Sequence, residues 1–419
     1  MPTTTAEGTE ARAAGPPCPE AGAAPRPART LAAAGINHAL HDGYTDLIYV
    51  LLPVWQAEFG LGYVALALVR ALYVGALAGL QMPATALARA LGARSVLVLG
   101  TLLSAGGYAL AGASGGVVGL CGALALAGAG SSTQHPLASA VIARAYGRGA
   151  RGPLGTYNFA GDLGKAALPP LVGLLLAGLD WRSVLWLVAG LGLAVAVGVA
   201  GLLPREPCAR GAAGERARPA PHDVAQGADP PPQRAAFGLL VAIGMLDNAA
   251  RPAFLVYLPF LLQEKGAALS AVGMAFALVA VGGALGKAAF GRLGERFGVT
   301  RSVLLTEVGT AVAILAMIIL PLAPALVVLP GLGLMLNGTS SVLYGTVPDL
   351  APGGRVERAF AIFYTCTLGG SALAAPLLYG PLGDAVGPSW AAVAAAAMAL
   401  AVVPLMLALA PHLAVPRRP

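Results

Sequence analysis

Long apolar stretches recur along this chain, each ended by a short polar interval. Segments of about 20 apolar residues, enough to cross a bilayer as a helix, fall at 34–57, 63–88, 94–113, 116–144, 152–178 and 182–203 in the first half. Six more fall at 235–262, 269–291, 302–321, 324–347, 357–382 and 389–411, with the ninth and tenth divided at PLAPAL (321–326). The pattern predicts an all-α membrane protein with twelve transmembrane helices. Residues 1–30, rich in Ala, Pro and Gly, read as a disordered cytoplasmic tail without the compact apolar run of a signal peptide, and 413–419 as a second tail.

The polar intervals orient the chain. Twenty of the 26 Lys and Arg residues lie in the N-terminal tail, the even-numbered loops and the C-terminal tail, whereas the odd-numbered loops hold only Arg182 and Lys265. Positive charge collects on the cytoplasmic side, so both termini are expected in the cytoplasm, with the chain multi-pass in the cytoplasmic (inner) membrane. The same alternation supports an even number of spans.

A repeat is visible. ARSVLVLG (93–100) follows the second span and TRSVLLTE (300–307) the eighth, while LLPVWQAE (51–58) is similar to YLPFLLQE (257–264). The chain reads as an N-terminal six-helix bundle (31–203), a Pro- and Arg-rich cytoplasmic linker (204–234) and a C-terminal six-helix bundle (235–412) in the same orientation. Parallel six-helix repeats resemble the major facilitator superfamily, whose substrate site lies at the midplane between halves. GRLGERFGVTR (291–301) resembles that superfamily's loop signature. Gly291, Glu295, Arg296, Gly298 and Arg301 would form a gating motif, with Glu295 in the Asp position. In the first half the motif decays to PATALARALGAR (83–94), where Ala88 takes the acidic place.

A narrower resemblance comes from GAGSSTQHPLASAVIARAYG (128–147), GPLGTYNFAGDLGKAALPPLVG (152–173), HALHDGYTDLIYVLLP (38–53) and VPDLAPGG (347–354). These are similar to the fosmidomycin-resistance family, which implies efflux of drugs or metabolites, a drug-resistance role and coupling to protons. The chain departs from that family at His41, Arg70, Leu137, Asp162 and Lys165.

Composition narrows the reading further. The chain is 57% hydrophobic and 11% charged, far below the roughly 25% charged of soluble domains. The net charge of +7 belongs to loops and tails, which excludes a nucleic-acid partner. Cys18, Cys121, Cys208 and Cys366 are scattered, without disulfide or zinc spacing. His38-x-x-His41-Asp42 could suggest a metal, but no third ligand group accompanies it, so neither metal nor cofactor is expected. No nucleophile motif or zincin spacing is present, which argues against an enzyme. No phosphate-binding loop is present either, leaving an ion gradient as the energy source.

Eight charged residues lie well inside spans: Asp42, Asp46, Arg70, Asp162, Lys165, Asp247, Arg251 and Lys287. Each costs about 2.5–3.5 kcal/mol at a helix centre, so eight unpaired groups would cost on the order of 20–28 kcal/mol. They must pair or line water. Asp162 falls about 15 Å into its helix, near the middle of a ~30 Å core. Spans 3 and 6 hold no charge beyond Arg94 and Arg182 at their first positions, span 12 holds none and span 9 only Glu307; in the superfamily fold these four are peripheral. The spacing expects local pairs Asp162–Lys165 and Asp247–Arg251, with Glu307 paired to loop arginines. His135, before Pro136, would either stabilise a kink or bind a proton or substrate.

The expected function is secondary active transport of a small polar or anionic organic solute by proton-coupled alternating access. His38, Asp42, Asp46, Arg70, His135, Asp162, Lys165, Asp247 and Arg251 are the candidate substrate-binding residues, with Asp42, Asp46 and Asp162 as proton carriers. The expected partners are a small-molecule substrate, protons and the lipid bilayer, with the chain acting as a monomer. A membrane receptor or scaffold of the same fold is the alternative.

Overall fold

The computed structural model describes residues 27–204 and 231–413. Most of both tails and of the 204–234 linker therefore lies outside the described residues, as do the side chains of 148, 151, 231–233, 291–295, 341, 354, 357 and 361. The first bundle comprises α1 (Pro27–Phe59), α2 (Tyr63–Gly79), α3 (Gln81–Leu91), α4 (Ala93–Ala113), α5 (Val117–Ser131), α6 (Gln134–Tyr146), α7 (Arg151–Leu175) and α8 (Trp181–Leu202). The second comprises α9 (Pro231–Glu264), α10 (Leu269–Phe297), α11 (Val299–Ile319), α12 (Leu322–Leu350), α13 (Val356–Ala374), α14 (Gly380–Val386) and α15 (Pro388–Leu413).

Among the described residues, nine helical segments are long and apolar enough to cross a bilayer, and ten when α2 and α3, bent by 45°, count as one. The remaining two crossings are α1 and α7, the helices that carry Asp42, Asp46, Asp162 and Lys165. The total is the twelve that the apolar pattern predicts.

Besides the bent α2–α3 pair, two predicted spans are not continuous helices. The fourth breaks at Ser132–Thr133, so α6 restarts just before His135 and Pro136 sits in a first turn, where a missing N–H costs nothing. The carbonyls freed at the break accept hydrogen bonds from Ser132 Oγ (to Ala129, 2.6 Å) and Thr133 Oγ1 (to Gly130, 3.0 Å). Stabilising the break is thus the work of two hydroxyls, not of His135. The eleventh span passes through a π-helical turn at Ala375–Tyr379, around Pro376, between α13 and α14.

The repeat is present in the packing. α1 lies against α7 and α8, and α4 against α5 and α8; in the second bundle α9 lies against α13 and α15, and α11 against α12 and α15. The turns repeat as well: Gly60 and Gly266, Gly92 and Gly298, and Gly147 and Gly353 all have positive φ, each pair 206 residues apart. Only glycine adopts that backbone without strain.

The bundles meet along α7 and α10, and again where α2 meets α14 and the π turn. At the α7–α10 crossing, a Cβ on Gly173 would meet the Leu269 carbonyl at 2.5 Å and one on Gly273 the Pro169 carbonyl at 2.5 Å. The two backbones touch directly there, as small residues permit.

We call the end where α1 begins and α15 finishes the terminal end, and the opposite one the distal end. Distally a single apolar core draws on both bundles, with Trp55, Tyr49, Phe254, Tyr257 and Phe276 in it. At the terminal end the core divides. One cluster (including Ala33, Leu97, Ile142 and Val199) belongs wholly to the first bundle; another (including Phe237, Val303, Val347 and Phe363) belongs wholly to the second. The halves are therefore sealed together distally and part towards the terminal end.

Candidate substrate cavity

Between the halves lies a cavity of about 280 Å³, lined from the first bundle by Asp42, Asp46, Arg70, His135, Asp162 and Lys165, and from the second by Asn248, Arg251 and Asn337, with Tyr49 and Phe276 among its apolar walls. Seven of the nine sequence-predicted binding residues share this one space. His38 and Asp247 do not. His38 is buried behind Asp42, stacked on Tyr157 with ring centroids 4.0 Å apart. Asp247 is buried one position round α9 from the cavity-facing Asn248.

The local pairings expected from helical spacing are not the ones made. Lys165 Nζ lies 2.9 Å from Asp42 Oδ2 on α1. Asp162 instead accepts from Lys287 Nζ at 2.5 Å, across the two bundles. α7 runs between α1 and α10, and each neighbour offers a charge opposite to the one facing it, so tertiary partners displace the three-residue one. Arg251 donates to Asn337 Oδ1 at 2.8 Å rather than pairing with Asp247. Asp247 faces the Glu307 carboxyl as a hydrogen-bonding neighbour. Glu307, only 2% exposed, also accepts from Thr339 Oγ1 at 2.7 Å, which corrects the expected pairing with loop arginines. The signal for its burial is in the sequence: Ser302, Thr306 and Thr310 recur every four residues on α11, and all are buried.

These pairings change the charge count of the cavity. With Asp247 removed to the Glu307 pair, the cavity carboxylates are Asp42, Asp46 and Asp162, facing Arg70, Lys165, Arg251 and Lys287. Both lysines are in ion pairs. Among the described residues neither arginine is. Arg70 stacks on the Tyr49 ring, 4.4 Å from its centroid, and its buried Nε has no hydrogen-bond partner. Asp46 is likewise in no ion pair among the described residues.

His41 takes no part in the cavity. Its ring nitrogens lie 2.9 Å from Ser131 Oγ and 3.2 Å from Thr101 Oγ1. The surrounding network continues from Thr101 Oγ1 to Asn37 Oδ1 (2.8 Å) and from Asn37 Nδ2 to Gln134 Oε1 (2.6 Å). His38 and His41 thus part company: His38 turns to Asp42 and His135, and the ligand atoms of these three residues lie within 4.8 Å of one another.

The distal seal has a polar component. Asp384 on α14 accepts from the backbone N–H groups of Tyr63 (2.5 Å) and Val64 (3.2 Å), capping the start of α2 across the bundle boundary. The Tyr63 ring packs on Tyr257 and Phe260, and Tyr257 OH donates to the Tyr379 carbonyl at 2.5 Å. The two cations that broke the charge alternation are held locally here: Arg182 pairs with Glu58 at 2.9 Å, and Lys265 donates to the Ile318 carbonyl at 2.9 Å. Of the predicted gating motif, Arg296 is exposed at the end of α10, Gly298 makes the left-handed turn into α11, and Arg301 is exposed in its first turn. Gly291 lies within α10, and the side chain of Glu295 lies outside the described residues.

Fold and cavity together define a two-bundle carrier of small solutes. The family model of the Major Facilitator Superfamily matches residues 35–246 and 237–419, and the chain belongs to that family. No curated protein matches the chain in sequence. Among solved structures, the fold is similar to that of a bacterial homologue of the human lysosomal transporter Spinster in an inward-facing, unoccupied conformation, with 15% identity and a TM-score of 0.73 over 94% of this chain and 98% of that one. It is also similar to the nucleoside transporter NupG (12% identity, TM-score 0.73, 91% of this chain and 99% of that one). A peptide transporter, POT, in complex with sulfate gives 17% identity and a TM-score of 0.70 over 91% and 94%. The chain is thus a multi-pass membrane transporter of the major facilitator fold.

Proposed function

We propose that this protein is a proton-coupled secondary transporter of a small anionic organic solute, acting as a monomer in the inner membrane with both termini in the cytoplasm. The observation that carries the reading is that Arg70 and Arg251, one from each bundle, line the same cavity and neither is in an ion pair among the described residues. A guanidinium offers a fork of donors to a carboxylate, phosphate or phosphonate. An anion held by both arginines would draw the bundles 31–203 and 235–412 together, which supports alternating access with 204–234 as the tether.

Asp46 is the proton carrier in this reading. Protonating Asp42 or Asp162 gives up an ion pair with lysine, whereas protonating Asp46 gives up none. A proton on Asp46 removes a negative charge from beside the arginines and so favours the bound anion. Charge asymmetry of the loops supports the orientation and makes the terminal end cytoplasmic. Resemblance to the fosmidomycin-resistance family supports a drug or metabolite as the solute and export as the direction.

The test is flux into liposomes carrying the purified protein, with phosphonates, carboxylates and cationic drugs presented under imposed pH gradients. Anions driven by the gradient, lost on Arg70→Ala or Arg251→Ala and uncoupled from pH by Asp46→Asn, are the expected result. Cation selectivity, or gradient-driven flux unaffected by Asp46→Asn, would overturn it.

A further inference from the structure

Three ligand-bearing side chains converge beside the cavity in a geometry that neither the lysine ion pairs nor the proposed anion site uses. His38 Nε2 lies 3.4 Å and His135 Nε2 3.7 Å from the same atom, Asp42 Oδ1, while Asp42 Oδ2 is turned to Lys165. Two bonds of about 2.0–2.1 Å meeting at a tetrahedral angle set their ligand atoms about 3.4 Å apart. We propose that His38, His135 and Asp42 form a binding site for a divalent transition-metal ion of the zinc or cobalt type.

Two further observations point the same way. His38 Nδ1 lies 2.8 Å from the Tyr157 carbonyl oxygen, which can only accept, so Nδ1 carries a proton and Nε2 is the nitrogen left to face the cluster. A carbonyl behind a ligand histidine that fixes its tautomer is the usual arrangement at metal centres. That Nε2 is fully buried and has no hydrogen-bond partner. The space is also kept open. A Cβ on Gly161 of α7 would come within 2.6 Å of Asp42 Oδ2 and 2.7–2.8 Å of the His38 ring.

The carboxylate divides its work, one oxygen for the Lys165 ammonium and one for the imidazoles, so the ion enters without breaking the ion pair. The ammonium nevertheless repels the ion and weakens its binding. Protein supplies three ligands, and His135, 46% exposed along its side chain, stands at the cavity side. The fourth position therefore faces the cavity, where water or an oxygen donor of a solute completes a tetrahedron, as in open zinc sites.

The test uses the purified full-length chain in detergent, with Co²⁺ and Zn²⁺ as probes, and is independent of transport. The expected result is a single Co²⁺ per chain with the intense visible absorption of a tetrahedral nitrogen–oxygen site, displaced by Zn²⁺. Removing a ligand by His135→Ala, at a partly exposed position where folding is preserved, should weaken binding by roughly 100-fold or more, a conservative figure given what changes to the groups behind the ligands alone cost. His38→Ala should do the same, and Gly161→Ala should also weaken it. Lys165→Met should tighten binding about tenfold by removing the neighbouring charge. Absence of Co²⁺ binding to the wild-type chain, or affinity unchanged by His135→Ala or by Lys165→Met, would overturn the proposal. His412→Ala controls for ions on the surface histidine near the C-terminus.

Discussion

Lys287 on α10 and Asp162 on α7 form an ion pair at 2.5 Å that joins the two bundles, with Asp162 lining the cavity. The side chain of Lys287 is 40% exposed and that of Asp162 only 12%, so the pair is wetted from one side. Its worth is accordingly near that of a partly screened contact, about 1 kcal/mol, rather than that of a dry one. Asp162→Asn and Lys287→Met should each destabilise the purified protein on heating. A double-mutant cycle should return a coupling of about 1 kcal/mol, and the exchanged pair Asp162→Lys with Lys287→Asp should recover part of it. A coupling of zero would mean that the two charges are held apart in solution.

Asp384 caps a helix that belongs to the other bundle, so its carboxylate is both a cap and a bolt. Loss of an N-cap side chain costs about 1 kcal/mol, which is roughly fivefold in a two-state population. With the native cysteines replaced, a cysteine at Thr45 should react with a membrane-impermeant reagent added at the distal side. In Asp384→Ala that reaction should be about fivefold faster, and from the terminal side slower.

Glu307 and Asp247 form a buried carboxyl pair with Thr339. Two carboxyl groups hydrogen-bonded to each other need a proton between them. Glu307→Gln supplies that donor from its own amide and keeps an acceptor for Thr339, so its effect on stability should be below about 1 kcal/mol. Glu307→Ala leaves buried partners unsatisfied and should cost about 1–3 kcal/mol. Thermal denaturation in detergent separates the two substitutions, and equal losses would contradict the shared hydrogen bond.

Asp180 lies in the distal loop and starts α8. Its carboxylate accepts from Ser183 Oγ and from the backbone N–H groups of Ser183 and Arg182, which hold it below the usual carboxylate range. A depressed value in the folded chain means that the contribution is present at neutral pH and lost as pH falls through the folded value. Asp180→Asn should therefore melt below wild type at neutral pH, and the two curves should converge in acid.

What could be read directly from the chain was whatever repeats or runs long. Spans and the six-helix repeat follow from apolar length and the echo of ARSVLVLG in TRSVLLTE. The repeat of left-handed glycines at Gly92 and Gly298 sits where those echoes begin. Which charges meet was not legible, because spacing within one helix says nothing about what a neighbouring helix presents. Asp162 and Lys165 are three residues apart and still face different partners, Lys287 and Asp42. The same blindness hid the third member of the His38–Asp42–His135 cluster, which is 93 residues further along the chain than Asp42. Glu307 was missed for another reason: its closeness to a loop suggested solvent, whereas the hydroxyl stripe of α11 around it was the better guide.

The aromatic seam at the distal end has an energetic consequence. Tyr49, Trp55, Phe254 and Tyr257 belong to one dry mass shared by both bundles. In the proposed alternating-access cycle, turning the carrier to face the other way would mean prying those rings apart and wetting them, whereas closing the terminal end would only bring two finished surfaces into contact. The unloaded carrier should therefore rest with its mouth at the terminal end, and the slow leg of its cycle should be the one that exposes this seam to water.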